Sequence, residues 1–231
     1  WAAKAPRLTA DTIRVLMPKY YGMVKCLDDN IGRILDTLRK NGQIDNTIIV
    51  FTSDHGESLG DHGLMFKGCR FYEGLVRVPL IFSCPKRFQV NHQSSALVEL
   101  LDLTATLLDL AELDQPDYLQ GASLLPILMG ESKSSHHRDF VRSEYFDALD
   151  PHFTGGEGTF ATMFRDARYK LCVYHGKDIG ELYDLENDPW EHNNLWDVPA
   201  ETETKNQLLA RSFDAHVLLT TDMGSRRIAP M

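Results

Sequence analysis

The feature that most constrains the fold is an unbroken run of β-branched and aromatic residues, Thr47–Thr52. A run that is apolar on both faces is typical of a strand buried in a parallel sheet. It ends at Ser53, and Asp54, His55 and Gly56 follow directly. Open α/β sheets bind their ligands at the carboxyl ends of strands. The sequence therefore predicts a buried parallel strand with polar side chains at a functional edge.

Asp54 and His55 are candidate metal ligands, because carboxylate oxygens and imidazole nitrogens are common metal donors. Gly56 gives the backbone the freedom to turn and bring both side chains to one site. On these residues alone, a strand-end turn in which Asp54 caps a backbone amide is the stronger interpretation. The segment that follows, residues 57–68, has few strong helix or strand formers and is rich in glycine. Long loops of this kind are usually functional.

The resemblance to a known family rests on this loop and on the residues after it. Residues 53–68 read Ser-Asp-His-Gly-Glu-x-Leu-Gly-Asp-His-Gly-Leu-x-x-Lys-Gly, and residues 71–81 read Phe-Tyr-Glu-Gly-Leu-Val-Arg-Val-Pro-Leu-Ile. This long, ordered match resembles the second half of the formylglycine-dependent sulfatases, in the alkaline-phosphatase-like superfamily. Residues 121–128 and 181–191 resemble later segments of the same family. The resemblance implies an α/β fold, namely the C-terminal part of an alkaline-phosphatase-like α/β sandwich with a small C-terminal antiparallel α+β subdomain.

Hydrophobic periodicity divides the chain into elements that agree with this fold. We expect residues 1–135 to be the C-terminal half of the catalytic α/β domain and residues 136–231 to be the small subdomain. Pro18 is expected to open a second helix within residues 9–40, and residues 131–138 are expected to form a flexible linker. Cys26 and Cys172 are interpreted as buried apolar residues. The remaining predicted elements are helices at 97–113 and 201–220, and strands at 78–83, 140–145, 159–164 and 169–174.

The resemblance also implies roles for individual residues. In the family, the Asp and His of the Asp-His-Gly motif bind a divalent cation, usually Ca²⁺, which assigns Asp54 and His55 to the metal, with Mn²⁺ or Mg²⁺ as alternatives. Lys67 matches the lysine that contacts a sulfuryl oxygen or the leaving-group oxygen. For His62, a place in the catalytic pocket and a structural role in a turn are weighted equally. His152 is a candidate substrate contact from the small subdomain. Glu57 is expected to brace the loop rather than bind metal.

We expect the nucleophile to lie outside these 231 residues. In the family, formylglycine is made from the first residue of Cys-x-Pro-x-Arg or Ser-x-Pro-x-Arg, in the N-terminal half. Cys84 has the wrong spacing, because Pro85 follows it directly, and residues 83–87, Ser-Cys-Pro-Lys-Arg, are interpreted as a turn because of their position in the chain. The resemblance places the formylglycine and two further acidic ligands in an N-terminal half that is absent here. We therefore expect this chain to be a fragment that partners that half and is inactive alone.

Composition excludes some classes of partner. The net charge of −9 offers no basic patch for nucleic acid, and no apolar stretch is long enough to predict a membrane span. The chain begins at Trp1, so a signal peptide, and with it the compartment, cannot be judged. The expected substrate is a sulfated small molecule or a sulfated carbohydrate. A phosphonate or phosphate monoester hydrolase of the same superfamily, and an inactive fragment with a binding or structural role, remain alternatives.

Overall fold

The computed structural model describes residues 8–131, 136–148 and 158–220. These residues form two compact units, one built from residues 8–90 and the other from the remaining described residues. The predicted division of the protein at residue 135 stays a prediction. No helix in the described ranges is both long and apolar enough to cross a membrane.

The first unit begins with a single helix, α1 (Ala10–Lys40). The Thr9 side chain caps it by accepting a hydrogen bond from the amide of Thr12 at 3.1 Å, as expected for this residue type. The helix ends at Lys40 with Asn41 as its C-cap, and Gly42 follows with a φ of 67°. The predicted break at Pro18 is wrong, because the helix continues through it. A proline removes one intrahelical hydrogen bond, and the other bonds of this 31-residue helix hold it together.

Two short strands follow, β1 (Ile49–Thr52) and β2 (Leu80–Ser83). They pair antiparallel, with Ile49 opposite Ser83, so the prediction of a parallel strand is wrong for this pair. The connection between them holds one short helix, α2 (Glu73–Val76), and a turn of 3₁₀ helix at Asp61–Gly63. A parallel pair requires a crossover connection, usually a full helix, whereas the helix in this connection is only four residues long. The prediction of burial is also wrong here, since Phe51 and Ile81 are 40% and 56% exposed.

The second unit is built on a four-stranded antiparallel sheet with strand order β3-β4-β5-β6. The strands are β3 (Val141–Ala148), β4 (Thr159–Arg165), β5 (Tyr169–Tyr174) and β6 (Gly180–Asp184). The helices are α3 (Leu101–Leu110), α4 (Leu125–Leu128) and α5 (Thr202–Thr220). The core joins the sheet to α5 through Phe164, Leu171, Leu182, Leu208 and Ala215. The predicted antiparallel sheet with a closing helix is confirmed.

A buried polar cluster in this unit corrects the expected linker. The guanidinium of Arg138 donates to Glu99 Oε2 at 2.7 Å and also to Asp102 Oδ1. His137 Nε2 lies 3.4 Å from Asp102 Oδ2, and the side chain of Asp102 is fully buried. The linker prediction is therefore wrong at His137 and Arg138, because two acidic residues of the α3 region hold them. Residues 132–135 lie outside the described part of the chain.

The two cysteines interpreted as apolar core residues have different environments. Cys172 lies in β5 and is fully buried, as predicted, and this burial raises the pKa of its thiol well above the ordinary value. Cys26 is exposed, so that prediction is wrong. The cause is its position on α1, where none of the helix residues is buried.

Candidate active site

The turn after β1 is held by its own side chains. Asp54 Oδ1 accepts a hydrogen bond from the amide of His55 at 2.9 Å, and Ser53 Oγ donates to the His55 carbonyl at 2.8 Å. The bond from the His55 amide is the main reason why the pKa of Asp54 lies below its ordinary value. Asp54 is therefore a carboxylate at neutral pH, with most of its side chain exposed.

The ring of His55 is oriented by a backbone carbonyl. His55 Nδ1 lies 2.8 Å from the carbonyl oxygen of Gly56. A carbonyl oxygen only accepts hydrogen bonds, so Nδ1 carries the proton, and the lone pair on Nε2 of the neutral ring accepts a hydrogen bond from Lys67 Nζ at 3.1 Å. Histidines that bind metals commonly have this arrangement, in which the other ring nitrogen donates to a carbonyl or a carboxylate.

Three of the predicted site residues converge at His55 Nε2. Lys67 Nζ lies 3.1 Å from this nitrogen, and Asp54 Oδ2 lies 3.5 Å from it. Lys67 is twelve residues further along the chain than His55, and the loop between them folds back to bring the two side chains together. The arrangement places a cation, an anion and an imidazole lone pair within one small space.

Backbone contacts fix the loop that carries these groups. The amides of Gly56 and Glu57 donate to the carbonyls of Leu75 and Gly74, at 2.8 and 3.1 Å. A Cβ atom on Gly56 would lie 1.9 Å from the Gly74 carbonyl oxygen, so only glycine fits. Leu75, in α2, is buried. The turn that bears Asp54 and His55 is thus attached to a packed element.

The donor set fits a divalent cation in part. Asp54 and His55 offer one carboxylate and one imidazole nitrogen on the same side of the turn, whereas Ca²⁺ takes six to eight oxygen ligands. Within the described ranges, no group of three or more His, Cys, Asp or Glu side chains is arranged to hold a metal. The two residues therefore suit a cation whose other ligands come from elsewhere.

The other predicted site residues have different outcomes. The ring of His62 stacks on Tyr72, with centroids 3.8 Å apart and planes 8° apart, which gives its structural alternative a physical basis. Its role in the pocket stays a prediction. Glu57 Oε1 accepts from the amide of Ser58 at 2.9 Å, as expected of a hydrogen-bond acceptor within the loop, and its bracing role stays a prediction. His152 lies outside the described residues. The sequence did not single out Tyr72. Its stacking contact with His62, ten residues earlier, distinguishes it from an aromatic residue of the core.

Comparisons with known proteins show which families and structures the chain is similar to. The family model described as N-sulphoglucosamine sulphohydrolase, C-terminal, matches residues 60–216, and the sulfatase model matches residues 3–113. Among solved structures, that of BT4656 in complex with its substrate D-glucosamine-2-N,6-O-disulfate is 32% identical, with a TM-score of 0.75 over 87% of this chain and 40% of that one. The phosphonate monoester hydrolase of Agrobacterium radiobacter is 28% identical, with a TM-score of 0.82 over 91% of this chain and 43% of that one.

These neighbours define the fold class as alkaline-phosphatase-like. The chain belongs to the sulfatase family and covers its C-terminal part. An N-acetylglucosamine-6-O-sulfatase of Bacteroides thetaiotaomicron is 37% identical over 84% of this chain and 34% of its own length. A choline-sulfatase of Rhizobium meliloti is 33% identical over 83% of this chain and 35% of its own length. The chain thus spans about a third of the length of these curated relatives.

Proposed function

We propose that the protein hydrolyses sulfate esters, with Asp54 and His55 as ligands of a divalent cation, most simply Ca²⁺, and Lys67 as a contact of the sulfuryl group. The observation that carries the proposal is the convergence of these three side chains at His55 Nε2, with Lys67 Nζ at 3.1 Å and Asp54 Oδ2 at 3.5 Å. Membership of the sulfatase family supports the same reaction.

The charges of the three residues suit the transfer of an anionic group. Negative charge builds on the oxygens of the sulfuryl group and on the leaving group in the transition state, and fixed positive charge lowers its energy. Lys67 brings such a charge to the end of the loop. Asp54 stays ionised, and the bond to the Gly56 carbonyl holds His55 with its lone pair facing the site. A bound cation would polarise a sulfuryl oxygen and position the nucleophile.

We further propose that residues outside this chain complete the site. Residues 83–87, Ser-Cys-Pro-Lys-Arg, have the spacing of Ser-x-Pro-x-Arg, but Ser83 pairs with Ile49, at the end of the β1–β2 pair away from Asp54. The relatives are about three times as long as this chain. Helix α1 supports the same view, because it has no buried residue and an apolar stripe that a further part of the protein would cover. The large apolar side chains of this helix that are at least 47% exposed are Val15, Tyr21, Met23, Val24, Leu27 and Ile34.

The substrate that we propose is a sulfated carbohydrate or a sulfated small molecule. The names of the similar proteins support this class, since they include a sulfatase of N-acetylglucosamine and a complex with a glucosamine disulfate. A phosphonate monoester hydrolase is the second candidate. It rests on the TM-scores of 0.82 to two such enzymes, and phosphoryl and sulfuryl transfer place the same demands on a cation and a lysine.

A comparison of two esters tests the proposal. The complete protein is given an aryl sulfate and the phenylphosphonate ester of the same aryl alcohol, with Ca²⁺ present, and kcat/KM is measured for both. We expect the sulfate to be the better substrate and Lys67→Ala to remove most of the activity. Lys40→Ala is the matched control, because Lys40 is an exposed lysine of the same unit, in the last turn of α1. A preference for the phosphonate would replace the first function with the second.

A further inference from the structure

Ser58 occupies a position in the loop that the matched motif leaves open, between Glu57 and Leu59. Its side chain is almost fully buried, with 5% of the residue exposed. Its hydroxyl donates a hydrogen bond of 2.7 Å to the carbonyl oxygen of Phe66. Phe66 directly precedes Lys67, so this bond joins the segment that carries His55 to the segment that carries Lys67.

The Ser58 side of this bond is rigid. The amide of Ser58 donates to Glu57 Oε1 at 2.9 Å, and its carbonyl accepts from the amide of Asp61 at 2.8 Å. The two preceding residues, Gly56 and Glu57, are attached to the carbonyls of residues 74 and 75. Ser58 is therefore a fixed point within the loop.

The Phe66 side of the bond has little other support of its own. Phe66 is 68% exposed, so packing of its ring does not anchor it, and its φ of 63° lies in the left-handed region. A residue other than glycine holds that conformation only when its surroundings impose it. The Ser58 hydroxyl supplies that constraint one residue before the lysine that reaches His55.

From this geometry we infer that Ser58 is a positioning residue, which acts through Lys67 by fixing the backbone from which that side chain extends. The inference rests on the proposed sulfatase function for its kinetic consequence. Displacement of a catalytic group by about 1 Å can cost about a hundredfold in rate. Partial loosening of Lys67 after loss of one hydrogen bond should therefore lower kcat by about tenfold.

A double-mutant cycle in the complete protein provides the test. We expect Ser58→Ala to lower kcat by about tenfold in the wild-type background and by less than twofold in the Lys67→Ala background, because the lysine through which it acts is gone. A decrease of equal size in both backgrounds would overturn the inference, and so would an unchanged kcat. The control is Thr106→Val, which removes a fully buried hydroxyl of the other unit and should lower stability without changing kcat.

Hydrogen–deuterium exchange separates this inference from the proposed function. In Ser58→Ala, the amides of residues 59–68 should exchange at least about tenfold faster than in the wild type, whereas in Lys67→Ala they should exchange at the wild-type rate. If the wild-type protein turns over neither ester and this exchange pattern still appears, the proposed function fails and the positioning role of Ser58 stands. Unchanged exchange in Ser58→Ala would overturn the positioning role whatever the activity.

Discussion

Replacement of Asp102 by alanine should destabilise the protein more than any exposed substitution in the same unit. The side chain of Asp102 is fully buried and accepts hydrogen bonds from the amides of Glu99 and Ala122, each at 2.8 Å. It also accepts from Arg138. The substitution would leave two backbone donors and part of a buried guanidinium without their acceptor.

The expected loss follows from these contacts. Breaking a buried ion pair by removal of one partner costs about 3–5 kcal/mol. Arg138 keeps a second carboxylate, because Glu99 Oε2 lies 2.7 Å from its Nη1, so we expect the lower end of the range, about 3 kcal/mol. For a chain of 231 residues, 1 kcal/mol changes the melting temperature by about 2–4 °C. Asp102→Ala should therefore lower the Tm by about 6–12 °C.

Thermal unfolding of the complete protein, followed by circular dichroism, measures this change. Asp114→Ala is the control, because Asp114 is an exposed carboxylate of the same unit, and exposed substitutions usually stay within about 0.5 kcal/mol. Arg138→Met should cost less in the Asp102→Ala background than in the wild type, since the ion pair is already broken. A Tm change for Asp102→Ala no larger than that of the control would refute the argument.

Two further predictions concern charge. Lys67→Ala should lower kcat by about a hundredfold or more, as loss of a donor to a developing anion does. Lys67→Arg should not restore the wild-type kcat fully, because a planar guanidinium is not a point charge. Steady-state kinetics in which Lys67→Ala only raises KM would contradict the catalytic role of this lysine. The hydrogen bonds from Arg168 hold the pKa of Asp184 at about 2, against an ordinary 3.8. This carboxylate therefore stabilises the fold above about pH 4, and the stabilisation is lost as the pH falls towards 2. Asp184→Asn should flatten the fall in Tm over that range, and an unchanged profile would contradict the assignment.

Elements fixed by neighbouring residues could be predicted from the sequence. The Thr9 cap of α1 depends on an amide three residues away. The turn between β4 and β5 depends on Asp166, whose Oδ1 accepts from the amides of Arg168 and Tyr169 at 3.0 and 2.8 Å. Asp166 lies in the short connection between the strands predicted at residues 159–164 and 169–174. Such contacts are encoded in the local order of residue types, so pattern reasoning finds them.

Features that depend on distant residues could not be predicted. The apolar run Thr47–Thr52 suits either a parallel or an antiparallel neighbour, and only the pairing with β2 distinguishes the two. Arg138 was interpreted as part of a linker because its partners lie 36 and 39 residues earlier. Pro18 was expected to divide α1, because a proline disfavours the helix locally. The residues around Pro18 do not show that the other hydrogen bonds of a 31-residue helix keep it continuous.

The candidate site shows the same division. The resemblance of the loop to a family motif gave Asp54, His55 and Lys67 their predicted roles, and the structure places these three side chains together. Ser58 was missed, because the motif leaves its position open and serine is common in loops. Its bond to a carbonyl eight residues away emerges only when the loop is folded.

Removal of the Asp54 carboxylate tests the central claim most directly. Asp54 has 84% of its side chain exposed, so Asp54→Ala should leave the Tm of the complete protein unchanged to within about 2 °C. Calcium binding is measured by titration calorimetry, and turnover of an aryl sulfate is measured at each calcium concentration. The account predicts a folded variant with weakened calcium binding and no calcium-dependent turnover. Full turnover with unchanged calcium affinity would contradict it.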